Sequence, residues 1–375
     1  MINLKRLLGV VALMYAALLT LSTVSKAADL DTDKDKPKPT FVQPSFGTLV
    51  LPSFTYSDNR LTYAHVFGAI DAGFFSPKPG GGYNGKTDMD VLAYSHFDAW
   101  TYGTNFLLVG LSKSGLNDPA GPCTNAGVIQ DREGSVSADC AGATDIYGLI
   151  RSTIGFNEIF NTHKFTWGPL HDVSLEVGGD ADSGNTYFDS AKRQFVAGLQ
   201  FAFDLPYRGY LDIAPLWKNE LGHNAYTQCG SIFAHPAPAC NIDGNAHYQD
   251  TWALEINYYM DLGFLPQSIQ YFSISGRAGI YGPKGPFQGI GGQESTKTEI
   301  NTEPVRITFD AGKALLGKAS AHEVDLWAAY RYWQNQYGED ADSAPYNCTV
   351  TTNGVKVSTN SCTASSLATG VTVKF

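Results

Sequence analysis

The chemistry this chain of 375 residues could carry rests on three groups of side chains. His96 and Asp98 stand two apart, with Tyr94 two residues before them. In an extended strand that spacing puts all three on one face, where a carboxylate orients an imidazole. No serine motif marks a nucleophile for them, and His171, His223, His235 and His247 fall near strand ends or in loops. Hydrolysis by a nucleophile, base and orienting acid therefore lacks a part, and no catalytic residue is assigned. The second group is a set of ionisable and aromatic residues inside alternating apolar/polar segments: Tyr147, Arg151, Glu176, Glu255, Asn257, Tyr259, Arg277, Arg306 and Arg331.

The third group is six cysteines: Cys123, Cys140, Cys229, Cys240, Cys348 and Cys362. They form three local pairs in polar stretches, and in an exported chain such an even set reads as disulfides. Six cysteines allow about fifteen connectivities, so sequential pairing follows from proximity alone. Zinc is disfavoured: there is no Cys-x-x-Cys, and His322-Glu323 lacks the second histidine of a zinc helix. No metal or cofactor is expected.

The elements that hold the second group read as strands. From Arg60 onward apolar and polar residues alternate between turn signals, with no good amphipathic helix. Twelve strands are expected near residues 60–73, 89–100, 103–113, 145–156, 169–179, 192–204, 208–218, 250–262, 267–281, 302–311, 322–333 and 364–375. Short connections follow the second, sixth and eighth, while long ones fall at 114–144, 219–249, 282–301 and 334–363. Short turns on one side and long loops on the other are the habit of outer-membrane barrels. All six cysteines then fall in the long loops. The connections at 157–168 and 312–321 are longer than that habit suggests, which leaves ten to fourteen strands open.

In the eighth segment Trp252, Leu254, Ile256, Tyr258, Met260 and Leu262 oppose Thr251, Glu255, Asn257, Tyr259 and Asp261. A charge facing lipid costs about 2–4 kcal/mol near the midplane, so the polar faces must line a lumen. On this reading Tyr94, His96, Asp98, Tyr147, Arg151, Glu176, Glu255, Asn257, Tyr259, Arg277, Arg306 and Arg331 are the solute-facing candidates. Charges are 17% of the chain and aromatics 13%, which suits lipid-facing walls with aromatic girdles. A net charge of −10 without a basic patch argues against nucleic acid as a partner.

Both ends fit export. Lys5 and Arg6, the apolar run from Leu7 to Leu21, and Ser25-Lys26-Ala27 make a signal peptide over residues 1–27. Residues 28–59 form a charged, Pro-bearing tether, followed by an apolar Thr48-Leu49-Val50-Leu51-Pro52-Ser53-Phe54 that could plug the barrel, pair at its rim or add a strand. Residues 60–375 are the barrel. Leu367, Val371, Val373 and Phe375 share one face of the last strand, and a terminal Phe closing such a strand resembles the signature read by the outer-membrane assembly machinery.

The aromatic hairpin with Trp100-Thr101-Tyr102-Gly103 followed by Asn105-Phe106, and the strand end Tyr332-Trp333-Gln334-Asn335-Gln336-Tyr337-Gly338, resemble the Tsx-like nucleoside-specific channel family. Trp167-Gly168-Pro169 and Phe203-Asp204-Leu205-Pro206 stand where related segments would be expected. The chain departs from that pattern at Thr104 and Gly110, where acids are usual, and at Gln336, where a base is common. The resemblance implies a narrow, monomeric, transmembrane antiparallel up-and-down β-barrel of about twelve strands, set in outer-membrane lipid of a Gram-negative bacterium, that passes small solutes, nucleosides first among them. The competing expectation is a structural or adhesive barrel with stapled loops and no open pore; a barrel hydrolase stands behind both.

Overall fold

The computed structural model describes residues 54–78, 80–115, 118, 128–131, 134–137, 142–185, 191–223, 229, 242–286, 294–345 and 347–375. The expected signal peptide, most of the tether, and Cys123, Cys140 and Cys240 lie outside them.

Twelve long strands run up and down: β1 Phe54–Ile70, β2 Lys86–Trp100, β3 Gly103–Ser114, β4 Thr144–Gly155, β5 Leu170–Gly184 and β6 Ala191–Leu205. The second half is β7 Gly209–His223, β8 Thr251–Asp261, β9 Phe272–Tyr281, β10 Glu299–Asp310, β11 Val324–Gln334 and β12 Thr363–Lys374. Each pairs antiparallel with its sequence neighbours, and β12 pairs with β1 from Arg60↔Lys374 to Val66↔Ala368, so the sheet closes on itself. Closure removes every edge and leaves each strand's backbone groups a partner, the condition for crossing lipid with strands.

All twelve expected strands are present, shifted by a few residues at their ends. β1 begins at Phe54, where it pairs with Trp100, so the last residues assigned to the tether belong to the wall. The two long turn-side connections hold short helices that strand periodicity does not show, α1 Phe156–Ile159 and α2 Ala311–Leu316. Asp310 ends β10 and accepts a 2.7 Å hydrogen bond from the Lys313 backbone N–H, capping α2. Up-and-down order places the five turns at one end and the long loops at the other. Small hairpins decorate the loop end, including Thr349–Thr352 with Val355–Ser358.

The period of two sorts the wall. On β12, Ala364, Ser366 and Ala368 are buried, whereas Leu367 is 60% exposed. Leu92, Val109, Leu111, Ile146, Ile150, Leu199, Ile307 and Leu326 are exposed with it on the outer face. Inside, two apolar patches stiffen the wall: Ala64, Val66, Trp327, Ala329 and Ala368, and Val196, Ala214, Leu216 and Ala253.

Candidate functional site

Directly paired residues of an antiparallel sheet point to the same side, so register carries the lumen assignment from strand to strand. Tyr147, Arg151, Glu176, Glu255, Asn257, Tyr259, Arg277, Arg306 and Arg331 all face inward.

Tyr94, His96 and Asp98 do not. Tyr94 pairs with Leu61 and Val109, His96 with Asn59 and Leu107, and Asp98 with Ser57 and Asn105. Leu61 pairs in turn with Val373, and Leu107 with Ile150, so this row belongs to the outer face. The inward residues of β2 are Met89, Val91, Ala93, Ser95 and Phe97. The outward polar groups satisfy one another. His96 Nδ1 is 2.8 Å from Asn59 Oδ1 and its Nε2 is 3.1 Å from Asp98 Oδ2. Tyr94 donates to Asn59 and Asn105 donates to Asp98. Both imidazole nitrogens are thus engaged away from any serine hydroxyl, which is not the arrangement of a base that activates a nucleophile.

The lumen has three levels. Nearest the loops it is filled. Lys218 and Glu220 of β7 pair at 2.8 Å, and Lys284, from the β9–β10 loop, reaches Glu220 at 2.5 Å. Lys218 lies over the Tyr281 ring and Lys284 over Tyr248. Lys218 is 1% exposed and Lys284 2%, so both lysines are buried among other side chains at this level.

At mid-height one bridge crosses the barrel. Arg151 of β4 donates two hydrogen bonds to Glu255 of β8, Nη2 at 2.6 Å and Nε at 2.9 Å, although β5, β6 and β7 lie between those strands. Asp180 at 3.3 Å and Glu176 at 3.8 Å complete an acidic cradle around the guanidinium. A fork bound to both carboxylate oxygens fixes distance and orientation together.

Toward the turns the lumen opens. Asn257 and Arg277, a directly paired couple on the inward faces of β8 and β9, are both exposed. A cavity of about 270 Å³ lies at the turn end, lined by Tyr207, Arg208, Asp261, Gln270, Lys313 and His322 among others. His322 sits among three aspartates, 3.1 Å from Asp325, 3.8 Å from Asp310 and 3.9 Å from Asp261. The hydrogen bond with Asp325 raises its pKa above the ordinary imidazole value.

Sequence reasoning puts Lys218 on an inward polar face without counting it among the site residues, and misses Glu220, Lys284 and Glu303. Lys284 lies in a loop, where periodicity is silent. Glu303 and Arg306 are three apart and would face opposite ways in a regular strand, but β10 carries a bulge between Thr302 and Val305 that turns both inward. Pro304 inside a strand was the available signal, since proline in a sheet keeps to edges and bulges.

Cys348 and Cys362 form a disulfide within the β11–β12 loop, and Cys229 is also disulfide-bonded. Glu339 packs beside that bridge, its carboxylate accepting both 2.7 and 2.9 Å hydrogen bonds from Asn347, and burial pushes its pKa up to about 7.

No family model matches the chain, and no curated protein does. Among solved structures it is similar to the COG4313 outer membrane channel from Pseudomonas putida F1, with 10% identity over 85% of this chain and 95% of that one, at a TM-score of 0.39. The translocator domain of the autotransporter NalP from Neisseria meningitidis matches with 9% identity over 85% and 89%, at 0.36. A Pseudomonas aeruginosa FadL homologue matches with 9% identity over 85% and 89%, at 0.27. Likeness at that level identifies no solute.

Proposed function

We propose that the protein is an outer-membrane channel for the passive diffusion of small polar solutes, with nucleosides the leading candidate. The observation that carries the reading is the contrast between the two faces of one closed wall. The outside is a belt of exposed Leu, Ile and Val, which suits hydrocarbon. The inside bears charges of both signs, and at Asn257 and Arg277 it is open to water. Weak sites distributed along such a path let a solute enter and leave again. Tyr147 and Tyr259 offer flat faces for a base, and Arg151, Glu255, Asn257, Arg277 and Arg331 offer hydrogen-bond partners for hydroxyls and base edges. Nucleosides come first because of the aromatic hairpin and the Tyr332-Trp333 strand end.

On this reading the filled loop-side level and the Arg151–Glu255 bridge make the pore narrow, and a solute passes when those pairs yield. The same filled level favours the second reading, a barrel that displays its stapled loops and conducts nothing. Vesicles carrying the refolded protein separate the two. Swelling in isotonic adenosine or uridine, faster than in a disaccharide, is the expected result. Swelling in none of these solutes would move the function to the loops.

A further inference from the structure

Arg277, Glu303 and Arg331 stand side by side on β9, β10 and β11, all facing the lumen. Arg277 pairs with Glu303, and Arg331 lies opposite the β10 bulge that holds Glu303, between the pairs Thr302↔Tyr332 and Val305↔Tyr330. Asn257 extends the row on β8 and Ser366 on β12. A third arginine borders it. Arg306 donates from Nε to Glu303 Oε1 at 2.7 Å and lies 4.0 Å from the Trp327 ring.

The charges in this row do not cancel. Glu303 is buried, at 6% exposure, and its short ion pair is with Arg306. Among the described residues neither Arg277 nor Arg331 has a carboxylate within 4.0 Å or a side-chain hydrogen bond, while nearly every other lumen cation has one. Lys192, Lys218, Arg151, Arg60 and Lys374 are all paired. Arg331 feels the positive charges of Arg277 and Arg306 together with the negative charge of Glu303. Three guanidinium groups against one carboxylate leave the row with an excess of two positive charges. Of the other inward acids nearby, Glu176, Asp180 and Glu255 are held by Arg151, and Asp212 stands two strands from Arg277, on the far side of Asn257.

Like charges gathered on one wall repel, and an arrangement that keeps two forks unpaired suits a negative group that arrives from solution. Guanidinium forks match the geometry of carboxylate and phosphate oxygens. The exposed Asn257 amide and the Ser366 hydroxyl add neutral donors beside them. Arg277 is itself exposed to the open, turn-side part of the lumen, so an ion from that side reaches it without displacing the mid-height bridge.

We infer that Arg277 and Arg331 form an oxyanion subsite in the lumen, which selects solutes bearing a carboxylate or phosphate group. Its place as a step in transit rests on the channel reading; the binding does not. A nucleoside would then be favoured less than its phosphorylated counterpart.

The test is calorimetric titration of inorganic phosphate, and separately acetate, into the full chain folded in detergent at low salt. Saturable binding is expected, weakened roughly tenfold or more in both Arg277→Gln and Arg331→Gln. Lys164→Gln, in the exposed connection between β4 and β5, should bind as the wild type does. Binding of phosphate without acetate would assign the subsite to phosphate esters, and the reverse to carboxylates. No saturable binding of either probe to the folded barrel would overturn the inference, as would binding that survives both substitutions. Planar-bilayer recordings keep the two claims apart. Openings indifferent to both anions retain the channel and discard the subsite; a barrel that binds them and never opens does the opposite.

Discussion

Replacing Arg151 with Gln should both destabilise the barrel and widen its pore. The guanidinium is held by Glu255 at 2.6 Å, Asp180 at 3.3 Å and Glu176 at 3.8 Å, and of these acids Asp180 alone also has a lysine, Lys192 at 3.6 Å, among the described residues. Its loss leaves Glu176 and Glu255 without a counter-charge and Asp180 with Lys192 only. Removing one member of a buried pair costs about 3–5 kcal/mol. Water in the open level below softens that figure, so the lower end, about 3 kcal/mol, is expected. Glu255→Gln leaves Arg151 two other acids and should cost less, about 1 kcal/mol. Because the two residues touch, the double substitution should cost less than the two losses added, with a coupling of roughly 1–3 kcal/mol. Urea unfolding of the protein refolded into lipid vesicles, followed by tryptophan fluorescence, reads these values. A shift of the Arg151→Gln midpoint on the order of 1 M is expected. Since the bridge joins strands that are not neighbours, its removal should also raise unit conductance. An Arg151→Gln barrel with an unchanged midpoint and unchanged conductance would refute the view that this bridge pins the lumen.

Three further outcomes follow from the faces and the loops. Val109→Lys, on the exposed outer face of β3, should cost about 2–4 kcal/mol in vesicles but little in water-like surroundings, and a neutral result in lipid would contradict the membrane belt. Cys348→Ser with Cys362→Ser should expose the β11–β12 loop to protease while the barrel stays folded; the bridge spans 14 positions and is worth about 3 kcal/mol in the chain-entropy model, so an undisturbed loop would count against it. Burial raises the Glu339 pKa from 4.5 to about 7, so its contribution to loop stability is full below 4.5 and lost as pH climbs through 7. Hydrogen-exchange protection in this loop, taken relative to the intrinsic rate at each pH, should therefore be higher at pH 5 than at pH 8, and Glu339→Gln should flatten the difference.

The wall was legible because a strand in a barrel writes its burial as a period of two, and twelve such segments with alternating short and long connections admit few topologies. The inward residues of β4, β5, β8 and β9 were legible for the same reason: Leu175 opposes Glu176, and Ile256 opposes Glu255 and Asn257. β2 misled because its inner face is the apolar one. Met89, Val91, Ala93 and Phe97 point to the lumen, paired with Val66, Ala64, Thr62 and Asp58, while polar Tyr94, His96 and Asp98 point out and satisfy one another. Pattern alone assigns the polar face inward; only the register with Leu61 and Leu107 reverses it. β3 gives no help, since Phe106 and Leu108 on one side and Leu107 and Val109 on the other are all apolar. The mid-barrel bridge was beyond reach for a different reason: Arg151 and Glu255 meet across the lumen, and no local pattern records a contact 104 residues apart.

The central claim is that this barrel conducts. Single-channel recording of the refolded full chain in a planar bilayer tests it most directly, with nucleosides and then sugars added in turn. Small openings blocked saturably by nucleosides, and not by sugars, are the predicted result. Correctly folded barrels that stay silent, with residues 28–53 deleted as well as present, would contradict it.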